Sequence, residues 1–205
     1  SYSICHRVSE LDSTYFNGAS YVDLMNPEAV KEFIRCTHER YKESCGEYFG
    51  KSIPGIFTDE PCFLMYGHYN VPAVPWSDYL PEFFRSIKGY DINGHLPKLF
   101  FDIDDYRKIR FDFYDTASEL FKQSFTKQYY DWCGENNMIM TGHFMAEDSL
   151  SYQTQWSGDV MTHYEFMHWP GIDKLARSID QVVTVKQVHQ QSTSLVKNDH
   201  YVKYT

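Results

Sequence analysis

The chain has 205 residues with 19 basic and 28 acidic side chains, a formal charge of −9, and 42% hydrophobic residues. That balance is ordinary for a globular chain and excludes global disorder. It also disfavours a nucleic-acid backbone or an anionic membrane as main partner, since both select clustered Lys and Arg.

Ser1 to Gly18 is polar and broken and reads as loop. Ala19 to Leu24 reads as a short strand. Asn26-Pro27-Glu28 then opens a helix with an N-cap, a proline at the first helical position and an acid in the first turn. Val30, Phe33, Ile34, Thr37 and Tyr41 give that helix, 27–45, an inward face. Ile53 to Thr58 is an apolar run that stops at Asp59-Glu60-Pro61, the pattern of a buried strand delivering two acids at its end. A loop over 62–75 follows, then a short helix capped by Ser77 and running to about Lys88.

The strongest helix spans about 104–133, with Tyr114, Ala117, Phe121, Phe125, Tyr129 and Trp132 spaced by three or four. Met138 to Phe144 reads as the next buried strand, with Glu147 and Asp148 just beyond it. Asp159 to Tyr164 reads as another, leading to Glu165 and a turn at Trp169-Pro170-Gly171. A short helix over 172–178 and a weaker strand-to-helix segment over 181–188 complete the assignable chain. Alternating strands and helices imply βα units and a largely parallel sheet. The expected architecture is α/β: a partial (β/α)8 TIM-barrel-like domain over 1–205, with a long helical insertion at 62–136. Such a part is expected to belong to a longer multidomain protein. An open sheet edge would need cover, and a homo-oligomer is one way to supply it.

No stretch reaches the roughly 20 apolar residues of a transmembrane helix, and no basic segment followed by an apolar core opens the chain. The compartment is left open. The five cysteines contain no C-x-x-C pair and read as free thiols.

Three expected strand ends carry acids: Asp59-Glu60, Glu147-Asp148 and Glu165. In parallel α/β folds these ends form the floor of the active site. Cleavage of a glycosidic bond needs one carboxylic acid to protonate the leaving oxygen and a second carboxylate as nucleophile or base. Glu60 is the preferred acid, because Asp59 and Glu60 point to opposite faces if the strand persists. Glu147 is the ionised partner. His143, His163 and His168 lack H-x-x-x-H spacing, so histidines that hydrogen-bond a sugar are favoured over a metal site. Trp76, Trp156 and Trp169 are stacking candidates, with core packing the simpler role for each.

Asn26-Pro27-Glu28-Ala29-Val30, Gly55-Ile56-Phe57-Thr58-Asp59-Glu60-Pro61, Thr141-Gly142-His143 with Glu147, and Pro170-Gly171-Ile172-Asp173 occur in this order. Together, over about residues 20–190, they resemble the central catalytic region of large bacterial glycoside hydrolases similar to the α-L-rhamnosidases of family 106. The resemblance implies a (β/α)8-type catalytic domain acting on glycans, with Glu60 and Glu147 as catalytic carboxylates. Asp59, His143, His163, Glu165, Trp169 and Asp173 are the substrate-binding candidates. No cofactor or metal is assigned, and calcium is an option that the resemblance leaves open. The pattern departs at its end. Residues 190–205 contain one acid, Asp199, where a further strand-end carboxylate is expected. Two alternatives stand beside the glycosidase. One is a non-catalytic carbohydrate-binding remnant, favoured if the carboxylates lie beyond about 10 Å. The other is a metal-dependent hydrolase built on His143, His163 and Glu165.

Overall fold

A computed structural model describes residues 3–4, 14–63, 72–173 and 182–197. Helix α1 (Pro27–Cys45) starts as its sequence dictates: Asn26 Oδ1 accepts from the backbone N–H of Glu28 at 3.0 Å and of Ala29 at 3.1 Å. Asn26→Ala is expected to cost about 1 kcal/mol, read as a lower urea midpoint at unchanged slope. The inward line of α1 is Val30, Ile34 and His38, while Tyr41 is exposed.

The 104–133 pattern becomes a nearly unbroken rod: α4 (Tyr106–Phe121), a π turn (Lys122–Thr126) and α5 (Lys127–Glu135). Phe113, Ala117, Phe121, Phe125, Tyr129 and Trp132 are all buried along it. The rod lies at the centre of the molecule. The π turn and α5 pack on α1, α4 packs on α2 (Leu80–Lys88) and α3 (Leu96–Phe100), and α5 packs on strand β2 (Ile139–Gly142). Downstream come α6 (Leu150–Trp156), α7 (Val160–Tyr164), β3 (Trp169–Pro170) and α8 (Val182–Lys197). No helix among the described residues is long and apolar enough to cross a membrane.

The sheet has three parallel strands in the order β1 (Gly55–Thr58), β2, β3. Phe57 is in register with Thr141, and Thr141 with Trp169. Ile56 and Met140 turn towards the helices, and Phe57, Thr141 and Trp169 share the opposite face. Gly142 closes β2 at φ +139°, where an added Cβ would stand 2.1 Å from the Thr58 carbonyl oxygen. Only glycine lets the two strand ends approach this closely.

The partial (β/α)8 barrel is not what the chain forms. It is mostly helical, with one small three-stranded sheet, because two expected strands are absent. At 20–25 the chain turns instead of pairing. Asp23 accepts from the Met25 N–H at 3.0 Å and the Ser77 hydroxyl at 2.7 Å, and its carbonyl takes the Asn26 N–H. At 160–164 the Asp159 carboxylate caps the Met161 N–H at 2.9 Å and starts α7. Val160, His163 and Tyr164 are buried at helical rather than alternating spacing. Trp169-Pro170, read as a turn, supplies the third strand instead. The segment read as strand-to-helix over 181–188 is helical from Val182. Most of the helix expected over 172–178 lies outside the described residues. Cys36, Cys45, Cys62 and Cys133 are free thiols.

Candidate active site at the strand ends

β1 ends at Thr58, so strict alternation stops before the acids. The ladder continues by one bond, His143 N–H to the Thr58 carbonyl at 3.2 Å, which sets Asp59 beside His143. Asp59 Oδ1 lies 3.0 Å from His143 Nε2. Glu60 then adopts φ +52°, a left-handed conformation that a glutamate rarely takes, and Pro61 follows it. This turn brings Glu60 back to the same side. Donor atoms of Glu60, His143 and Asp173 all lie within 4.8 Å of one another. Glu60 is half-buried, His143 is buried and Asp173 is exposed.

Glu147 stands beneath this group, and only 3% of it is exposed. Its Oε1 accepts the Asp173 N–H at 2.7 Å; its Oε2 accepts the Tyr164 hydroxyl at 2.9 Å and the Phe144 N–H at 3.2 Å. Burial pushes its carboxyl above the usual range, and these three donors oppose the rise. The same carboxylate therefore ties the loop after β2, helix α7 and the segment after β3 into one rim. Tyr164→Phe is expected to lower stability by about 1–3 kcal/mol in urea melts, since it leaves a buried carboxylate short of a donor.

The other sequence candidates are dispersed. His163 is fully buried in the core: Nδ1 meets Thr126 Oγ1 at 2.7 Å, Nε2 meets the Ser157 carbonyl at 3.1 Å, and the ring packs on Phe121 and Phe144. Glu165 is exposed at the end of α7. His168 stacks on Tyr130, and its Nδ1 accepts the Met140 N–H at 3.0 Å. Trp76 packs on Phe113, whereas Trp169 is partly open on the sheet face. Thus His143, His163 and Glu165 do not share a site, and the set brought together is Glu60, His143 and Asp173. Sequence reading missed Tyr164 and Phe57. The helical spacing of Val160 and Tyr164 carried the first, and the in-register face of β1 the second. A cavity of about 250 Å³ adjoins the rim through Thr58, Asp59 and Pro61 and is walled by Tyr21, Phe33 and Tyr129.

The donor set allows a test of the metal question. Calcium takes six to eight oxygen ligands. Here one of three donors is an imidazole nitrogen, so the gathered residues do not fit calcium. One nitrogen with two carboxylates suits a zinc- or manganese-type ion better. His143 Nδ1 is buried and has no hydrogen-bond partner among the described residues.

The fold has a counterpart among solved structures. The chain superposes on a rhamnosidase from Novosphingobium sp. PP1Y with a TM-score of 0.55 and 18% identity, over 73% of this chain and 14% of that one. The chain thus spans about one-seventh of that enzyme's length, and the likeness is one of fold. No family model matches the chain, and no curated protein matches it.

Proposed function

We propose that this chain carries the reacting rim of a glycoside hydrolase of rhamnosidase-like type. The observation behind this reading is the convergence of Glu60, His143 and Asp173 within 4.8 Å at the ends of three parallel strands. Glu60 donates the proton to the leaving oxygen. Asp173, exposed and close to Glu60, is the second carboxylate; the retaining mechanism needs a pair at about 5–5.5 Å. Glu147, buried and accepting three hydrogen bonds, positions Asp173 through its backbone N–H. Asp59 and His143 present a paired acid and imidazole for sugar hydroxyls. The experiment is hydrolysis of a panel of aryl glycosides, α-L-rhamnosides included, by the full-length protein and its Glu60→Gln variant. Equal rates for the two proteins would remove Glu60 from the chemistry.

A second reading, metal-dependent hydrolysis, is favoured by one ring nitrogen of His143 and the carboxylates of Glu60 and Asp173 lying within 4.8 Å of one another. Treatment with a chelator separates the readings. The carboxylate mechanism keeps its rate, whereas the metal mechanism loses it and regains it with zinc or manganese.

A further inference from the structure

We infer that Phe57 and Trp169 form a stacking platform on the open sheet face that receives the apolar face of a sugar ring beside the acidic rim. This rests on the glycosidase reading and adds the contact that orients the substrate. The register supplies the geometry. Phe57, Thr141 and Trp169 are neighbours across β1, β2 and β3, so their side chains form one row on one face. Phe57 is 58% exposed and Trp169 39% exposed, while Ile56 and Met140 on the other face pack against the helices. Strands lie about 4.8 Å apart, which sets the two aromatic side chains roughly 10 Å apart with the small Thr141 between them.

Two residues further along the strands, the same face changes character. Asp59 pairs with His143 there, and the third position is Gly171, whose N–H bonds the Gly142 carbonyl at 2.8 Å. An added Cβ at Gly171 would stand 2.8 Å from the Gly142 carbonyl oxygen, so glycine lets the segment leading to Asp173 lie close against β2. The Phe57 ring meets the His143 ring edge-on at 5.7 Å, so the apolar row and the polar row are continuous. Successive same-face residues are about 6.5–7 Å apart along a strand. A pyranose is amphipathic on that scale: its C–H face can lie on aromatic rings while its hydroxyls reach carboxylate and imidazole. A purely apolar partner would leave Asp59, His143 and Glu60 uncompensated, which is why a saccharide is the occupant.

The test uses the full-length protein with the aryl glycoside panel and, separately, free L-rhamnose, D-galactose and D-glucose followed by tryptophan fluorescence. Phe57→Ala is expected to raise KM about tenfold with kcat changed far less, Phe57→Tyr to keep the wild-type KM, and Trp169→Phe to abolish the sugar-induced fluorescence change. Circular dichroism of each variant establishes that it is folded. An unchanged KM in folded Phe57→Ala overturns the platform while leaving the glycosidase reading intact. Sugar binding lost in Phe57→Ala, in a wild type that turns over no glycoside, supports the platform and sinks the hydrolase. Absence of binding by the wild type to every sugar, together with absence of turnover, sinks both.

Discussion

Replacing Glu60 by Gln is expected to lower kcat/KM for glycoside cleavage by about 10²–10⁴-fold, the range that a positioned general acid contributes. Glutamine keeps the volume and the amide-like outline of the carboxylic acid but has no acidic proton to give. The loss should depend on the leaving group. Nitrophenolate departs with little protonation, so its glycosides should be affected least, and alkyl or sugar leaving groups most. A uniform loss across leaving groups would point to binding rather than proton donation. The backbone at Glu60 sits at φ +52°, so the side chain is aimed by a turn and not by its own rotamer preference. The substitution therefore leaves the rim's layout in place, and the rate reports the chemistry.

Acidification is expected to lower stability from about pH 6.5 downward, before the carboxylates protonate, with His163 the largest single cause. Burial holds His163 down at about 3, against an ordinary value near 6.5. Nε2 donates to the Ser157 carbonyl, so Nδ1 carries a lone pair and accepts from Thr126. A second ring proton would put a charge on a wholly buried ring, which the folded state disfavours. Above pH 6.5 the histidine is neutral folded and unfolded, and stability does not depend on it. Below 6.5 the unfolded chain takes up a proton that the folded chain refuses, so stability falls by up to about 1.4 kcal/mol per pH unit until about pH 3. His38 acts in the same direction, with burial holding it at about 4. Against a typical total of about 5–15 kcal/mol, such a slope matters by pH 4. Urea titrations between pH 7 and pH 4 measure it. A flat profile, or one unchanged in His163→Gln, would contradict the assignment.

Much of the helical frame was legible in the sequence. Asn26-Pro27-Glu28 marked the start of α1, and the aromatic spacing from Ala117 to Trp132 marked the rod. The strands at 55–58 and 139–142 were legible as short apolar runs ending in acids. What failed was the inference from a few βα alternations to a barrel. A capped helical turn such as 160–164 and an apolar strand look alike over five residues, and the cap at Asp159 decided between them. Within the site, Glu60 was named from a strand end, His143 as a sugar-bonding histidine and Asp173 from the family resemblance, but their meeting depends on a left-handed residue ahead of Pro61 that no periodicity encodes. The burial of Glu147 was illegible for a related reason. Its three donors come from Phe144, Tyr164 and Asp173, and nothing local in the sequence announces that these meet.

The π turn at 122–126 carries a consequence for the phase of the rod. Its wider coil, with the Lys127 N–H bonded to the Lys122 carbonyl, absorbs one more residue than a regular turn. Everything beyond it is rotated by about 100° relative to an uninterrupted helix. Thr126 thereby reaches His163 on one side, while Tyr129 reaches His38 on the other at 2.6 Å. Deleting a single residue here would straighten the coil and, in doing so, swing one of those hydroxyls away from its imidazole. The irregularity is the device by which one helix serves two separate neighbours.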